Sequence, residues 1–359
     1  MHEGVTLDAR PGGDAGLDGL FASAALAAVD VAAALRLARE VGAASPGPGR
    51  GRTVQYLETL ATLGAADVTV ARVVEPHLDA LAVLAECPDD VDLGAVGVDD
   101  SSTWGVFAAE APGVRLTAVQ DARGWTLSGT KPWCSLAGDL SHALVTAHVD
   151  GPDGGGTRRL FAVALGRGGM VVHPEAWVAR GMPTVPSGPV DFDAVAAVPV
   201  GAAGWYLERD GFEWGGIGVA ACWFGGAVGI GRRVLDAAAR RPGELSELHA
   251  GRCAAALNAA RAVLAGAAAR IDGGGLDRAE ARILAQEVRS VVRGAGELVL
   301  REAAHALGPA PLALDAGYAA RVADLELYLL QDHGDRDLAR LGRLLVERET
   351  VGSSEVGAA

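Results

Sequence analysis

Three short clusters in this 359-residue chain carry side chains that could do chemistry. Glu75-Pro-His-Leu-Asp79 sets a carboxylate, an imidazole and a second carboxylate on about one helical turn. Those are donor types a divalent cation accepts, but the same spacing makes a solvated helix face, which is the expectation. Gln331-Asp-His-Gly-Asp335 puts Asp332 beside His333, a carboxylate and an imidazole suited to moving protons. The same residues could equally form a polar bend or a helix cap. Cys134 has only Lys131 as a basic neighbour in sequence to favour its thiolate, so a buried, inert thiol is expected. Gly166, Gly168 and Gly169 lack the strand–helix context of a nucleotide-binding loop and read as a turn.

Composition narrows the field. Lys131 is the only lysine among 31 basic residues. In a chain that uses arginine almost everywhere, a lone lysine marks a place where a wide planar head does not fit, or it survives by chance. The formal net charge of −14 argues against nucleic acid or an anionic membrane surface as the main partner. No run reaches the roughly 20 charge-free residues that span a bilayer. Met1 to Gly19 lacks the basic and apolar blocks of a signal peptide. Cys87, Cys134, Cys222 and Cys253 are scattered without a CxxC pair, so neither a disulfide scaffold nor a zinc ribbon is expected. A cytoplasmic location is the expectation.

The elements that must position these groups change character twice. Residues 17–42 have helical spacing ending at Gly42, and Ala44–Arg52 reads as a loop. Helices over Thr53–Leu63 and Ala66–Glu86 follow, with Gly64 between them. Near residue 100 the period shortens. Strands are expected at 104–110, 114–120, 125–128, 142–149, 160–165, 170–173 and 189–195, with Asp121–Gly124 as a hairpin turn and a loop at Gly151–Thr157. Short strands at this spacing suggest a small barrel or sandwich rather than βαβ units. Four long helical blocks, near 210–240, 246–272, 276–307 and 316–347, read as an up-and-down bundle with a frayed tail at Gly352–Ala359. The expected class is α+β, mostly α. Its layout is a helical region 1–97, a β-barrel 98–203 and a four-helix bundle 204–359.

Three motifs in that order make the pattern specific. Gly124-Trp-Thr-Leu-Ser-Gly-Thr-Lys-Pro-Trp-Cys-Ser135 resembles the GW-x-L-x-GTK-x-W segment of acyl-CoA dehydrogenases. Val190–Pro199 with Glu208–Phe212 resembles that family's V-x-F-x-x-V-x-VP run into its bundle, and Phe224–Gly231 resembles its first bundle helix. The likeness spans about residues 55 to 345. It implies a flavoprotein that binds FAD, with Trp133 beside the flavin ring and Ser135 donating a hydrogen bond to it. Glu110 is the one acidic match to the family's flavin-contacting L-T-E-P segment, whose Ser and Thr are missing here. Asp332 falls on the family's catalytic Glu, with His333 as a second acid or base. Aspartate is shorter by one bond of about 1.5 Å.

The segments matching the family's adenine-binding motifs, Arg241–Arg252 and His305–Pro311, depart from the pattern. The resemblance implies α,β-dehydrogenation of an acyl thioester on CoA or an acyl-carrier protein, with an electron-transfer flavoprotein as acceptor. The alternatives are a non-catalytic or partly catalytic subunit of a heteromeric dehydrogenase, or a flavin monooxygenase of the same fold. A dimer or tetramer built through the bundle is expected, because Val219–Gly229 is too apolar and small for a solvated helix face.

Overall fold

The computed structural model describes residues 3–8, 14–149 and 156–356. Most of the expected loop Gly151–Thr157, and the last three residues of the expected tail, lie outside the described residues. Four helices open the chain: α1 (Ala15–Ala27), α2 (Val31–Ala44), α3 (Thr53–Ala66) and α4 (Val68–Glu86). Seven strands follow: β1 (Trp104–Phe107), β2 (Leu116–Asp121), β3 (Gly124–Lys131), β4 (His142–Val149), β5 (Thr157–Ala164), β6 (Met170–Val172) and β7 (Val190–Val200). The chain then returns to helix with α5 (Trp205–Glu208), α6 (Gly211–Arg240), α7 (Glu244–Gly273), α8 (Arg278–Leu307), α9 (Pro309–Leu314), α10 (Ala316–Leu329) and α11 (Asp335–Val356). The switch from helix to strand to helix is the one the periodicity indicates.

Contacts divide the chain into two units. The first joins residues 1–22, 48–68 and 213–359; the second joins 23–47 and 69–212. In the second unit, β4–β2–β3–β7–β5 close on themselves, because β5 also pairs with β4. This closed ring of mainly antiparallel strands is a barrel, and β1 extends one edge by pairing parallel to β4. The β2–β3 hairpin turns on Ala122 and Arg123, with Asp121 opposite Gly124, as the turn residues suggest. A register shift between Leu127 and Gly129 bends β3. Gly129 sits at φ 113°, and a Cβ there would lie 2.2 Å from the Arg115 carbonyl oxygen, so only glycine fits. Ala80 and Val83 of α4 join Trp104, Leu144, Leu160 and Val200 in the core under the barrel wall.

In the first unit, α7 and α8 pack against each other, and α3 packs beside α6. Gly225 meets Ala61 and Ala65 so closely that a Cβ would stand 2.0 Å from the Ala61 carbonyl oxygen. Gly64 is equally tight against the Cys222 carbonyl, at 2.4 Å. The small residues of Val219–Gly229 are therefore consumed inside the unit by a close helix crossing, and the run does not mark an oligomer surface. α6 is also long and apolar enough to cross a membrane, contrary to the expectation that no run qualifies. Its apolar window is 78% buried inside the protein, as a core helix would be.

Three further boundaries differ from the sequence reading. Asp30 caps α2 by accepting from Ala33 N, which splits the expected 17–42 helix in two. α3 runs through Gly64 and ends at Ala66, because that glycine serves the helix crossing and not a break. The fourth bundle block divides into α10 and α11 at Leu330–Gly334, where Gly334 takes φ 60°.

Candidate functional site

Backbone strain points to one place in the second unit. Four non-glycine residues have positive φ among the described residues: Trp133 (59°), Leu136 (57°), Met182 (48°) and Ala194 (50°). The first three lie in the loop after β3 and the loop between β6 and β7. These loops are laced together, with Cys134 N donating to the Gly188 carbonyl and Leu136 N to the Pro186 carbonyl, both at 2.9 Å. Such conformations are costly and persist where the surroundings hold them, often at binding sites. Trp133 is 57% exposed, while Cys134, Ser135 and Leu136 beside it are buried. An indole held outward on a strained backbone leaves a ring face open to solvent.

The polar groups behind it form a directed chain. Ser187 Oγ donates to the Val185 carbonyl at 3.1 Å, so its single hydrogen is spent. The 2.7 Å contact between Ser135 Oγ and Ser187 Oγ then requires Ser135 to donate. Arg72 of α4 donates from Nη2 to Ser135 Oγ at 2.8 Å, and Glu75 stands 3.8 Å from its other nitrogen. Arg72 and Ser187 are absent from any motif. Arg72 lies 63 residues from Ser135, and only the docking of α4 brings them together.

Lys131 closes β3 and is 1% exposed. Its Nζ donates to Glu110 Oε1 at 2.6 Å and to Thr146 Oγ1 at 2.9 Å, a narrow two-acceptor socket inside the barrel. Burial pulls the Lys131 pKa down, and the Glu110 bond and charge work against that. Burial acts to raise Glu110, but Lys131, His148 and Arg158 prevail and hold it below its ordinary range. Glu110 is thus engaged as the counter-charge of the lone lysine. Burial pushes the Cys134 thiol up to about 12, as an inert thiol requires.

The Glu75–Asp79 cluster is not the solvated face that was expected. Glu75 and His77 are buried. His77 Nδ1 accepts from Trp104 N at 3.3 Å, and burial with the Arg39 charge lowers its pKa to about 4. Asp79 faces Arg209 at 3.7 Å. Each group has its own partner, and no group of metal-ligating residues occurs among the described residues. Gly166 and Gly169 take left-handed φ in the β5–β6 connection, a turn as expected.

Asp332 and His333 sit in the first unit, at the α10–α11 break. The Asp332 side chain is 1% exposed, with Arg289 Nε 3.7 Å from Oδ2 and Arg293 Nη1 3.6 Å from Oδ1. Oδ1 also accepts from Gly334 N at 2.9 Å, closing the turn. Arg289 in turn stacks over Trp223, 4.6 Å from its ring. His333 is 70% exposed, and Asp337 Oδ2 lies 3.5 Å from its Nδ1. Asp332 thus closes the bend between α10 and α11. Of the adenine-end segments, Arg241–Arg252 contributes His249 and Arg252 to a cluster on Glu302. His249 Nδ1 lies 2.8 Å and Arg252 Nη1 3.3 Å from Glu302 Oε2.

No protein-family model and no curated protein sequence matches the chain. Solved structures do. A dibenzothiophene monooxygenase, TdsC from Paenibacillus sp. A11-2, matches with TM-score 0.70 at 18% identity, over 92% of this chain and 97% of that one. KijD3, solved with FMN and an amino-keto sugar nucleotide, matches with TM-score 0.75 at 18% identity, over 97% and 96%. PigA in complex with FAD gives TM-score 0.75 at 14% identity, over 94% and 100%. The helical regions and strand barrel are consistent with an acyl-CoA dehydrogenase-like fold. At these identities the likeness establishes architecture, and the chemistry must be argued from the residues described above.

Proposed function

We propose that this chain is a flavin-dependent oxygenase of the acyl-CoA dehydrogenase-like fold, holding its flavin ring against Trp133 and beside Ser135 and Arg72. The observation that carries this reading is the state of Asp332. A carboxylate that removes an α-proton must meet its substrate, whereas Asp332 is buried, closes a turn and is flanked by two guanidinium groups. Breaking a buried pair of this kind costs about 3–5 kcal/mol. We therefore read Asp332 as an anchor of the α10–α11 break, and acyl-thioester dehydrogenation as disfavoured. TdsC, whose name states a monooxygenase activity and which is also solved with FMN bound, supports the same reading.

The residues present suit a flavin in two respects. The exposed Trp133 face offers stacking to a planar ring. The Arg72 guanidinium suits the negative charge that accumulates on a reduced ring. Bound and reduced, the flavin would supply the two electrons that let dioxygen react with an organic substrate. Arg72 would orient the Ser135 hydroxyl, and the strained loops would keep Trp133 fixed in solvent without collapse onto the barrel. FMN is proposed over FAD, because the two adenine-end segments depart from the family pattern and His249 and Arg252 are taken up by Glu302.

Titration with oxidised and reduced FMN, followed by Trp fluorescence and visible absorption, tests this. Saturable binding lost in Trp133→Ala, with re-oxidation in air and no bleaching by acyl-CoA, is expected. Bleaching by acyl-CoA that disappears in Asp332→Asn would instead establish the dehydrogenase. One feature favours a second reading, a non-redox subunit: the Ser135 hydrogen is already given to Ser187. That reading predicts a protein that stays colourless in excess FMN and FAD.

A further inference from the structure

We infer that His173 is a positioning residue for the flavin site, its imidazolium form closing the base of the loop that holds Trp133 in place. The inference rests on the flavin site proposed above.

His173 stands just past the end of β6, where the loop to β7 leaves the barrel. Its Nε2 lies 2.8 Å from Asp191 Oδ2, and its Nδ1 lies 3.1 Å from Glu175 Oε1. A neutral imidazole carries one N–H and can donate to only one of these oxygens. Its other nitrogen would then turn a lone pair on a carboxylate. The imidazolium donates to both. Asp191 on β7 and Glu175 in the short turn Pro174–Ala176 are the charged groups that face it. Thr130 on β3 fixes Asp191 in turn, by donating to its Oδ1. The bond to Asp191, then that to Glu175, raises the His173 pKa above its ordinary 6.5.

This clamp joins the two ends of the loop. His173 N donates to the Pro189 carbonyl at 3.1 Å. Gly188 packs so close that a Cβ there would stand 2.1 Å from the His173 carbonyl oxygen. The residues just before that point hold the Trp133 segment. Cys134 N donates to Gly188, Leu136 N donates to Pro186, and Ser135 Oγ meets Ser187 Oγ. His173 thus grips 188–191, while 186–188 grip 134–136. Loss of its proton costs one carboxylate contact and loosens the support of Trp133 and Leu136, both at positive φ. Strained backbone of this kind persists only while its surroundings over-determine it, so the Trp133 segment responds first.

Protection of the Cys134 and Leu136 amides against hydrogen exchange, followed by NMR between about pH 6 and pH 9, reads the clamp without flavin. It should fall about fivefold as His173 loses its proton. In Glu175→Gln the carboxamide can donate to Nδ1 of a neutral imidazole, which still donates from Nε2 to Asp191. Protection should then stay level across the same range. The FMN Kd should rise about fivefold over that range in the unmodified chain and stay level in Glu175→Gln. The phosphate of FMN titrates alike in both chains and cancels in the comparison. By reciprocity, bound FMN should raise the His173 midpoint. Constant protection while His173 titrates, an FMN Kd independent of pH, or the same losses in Glu175→Gln would overturn the inference. Protection that falls as expected in a chain that binds no FMN would leave the clamp standing and overturn the proposed function.

Discussion

Replacing Gly225 by alanine should destabilise the first unit, although alanine is the better helix former. In an isolated helix the change gains about 1 kcal/mol. Here the new methyl would stand 2.0 Å from the Ala61 carbonyl oxygen, 2.8 Å from its carbon and 2.9 Å from Ala65 N, all rigid backbone of α3. Ordinary contact begins at 3.4 Å, so α3 and α6 must part by about 1.4 Å. A gap of 0.5–1 Å already forfeits about a quarter to a half of each dispersion contact along a crossing. Overpacking of this kind costs about 1–3 kcal/mol and sometimes more, and two backbones that cannot rotate away place it at the upper end. After the propensity gain, a net loss of about 2 kcal/mol is expected. Gly266→Ala is the matched comparison: it lies on α7, is exposed, and has nothing within 4 Å of its Cβ position. It should stabilise by about 0.5–1 kcal/mol. Urea unfolding followed by circular dichroism measures both. Gly225→Ala that equals or exceeds Gly266→Ala in stability would refute the close-crossing argument.

Other expectations follow from single contacts. Lys131→Arg keeps the charge but forces a wider head into a socket 1% exposed, and should cost about 1–3 kcal/mol; Lys131→Arg as stable as the parent in urea would show that shape does not explain the lone lysine. His173 lies between Asp191 (2.8 Å) and Glu175 (3.1 Å), and its bonds to Asp191 first and Glu175 second raise its pKa above 6.5. A raised pKa means its contribution is complete below the ordinary histidine value and fades as pH rises through the folded-state value, so an NMR titration should find a midpoint above 6.5 that falls in Asp191→Asn. Glu302 is held at about 2, chiefly by the His249 bond, against burial, with Arg252 adding to it. Its contribution is present above the ordinary carboxylate pKa and is lost as pH falls toward 2, so Glu302→Gln should flatten the acid limb of the stability curve measured by urea midpoints.

The sequence by itself determined the order helix, barrel, helix, and it did so through local rules. Hydrophobic period changes from 3.6 to 2 near residue 100 and back near 205, and the Asp121–Gly124 hairpin is written in its turn residues. Those signals are carried by neighbours in the chain, so they survive without knowledge of the whole. The 124–135 motif also marked the stretch that bears Trp133 and Ser135. What became of each side chain was decided in three dimensions. Gly64 and Gly225 read as a helix break and an oligomer surface, yet they are the two sides of one crossing between α3 and α6. Glu75, His77 and Asp79 read as a solvated face, but α4 is packed on more than one side, so each finds a buried partner. Asp332 read as a base by position, and the guanidiniums that occupy it come from α8, about forty residues upstream. Arg72 had no signal at all. Ion pairs and hydrogen bonds between distant residues leave no periodicity in the sequence, so only the folded chain could place Arg72 on Ser135 and turn an outward tryptophan into a candidate site.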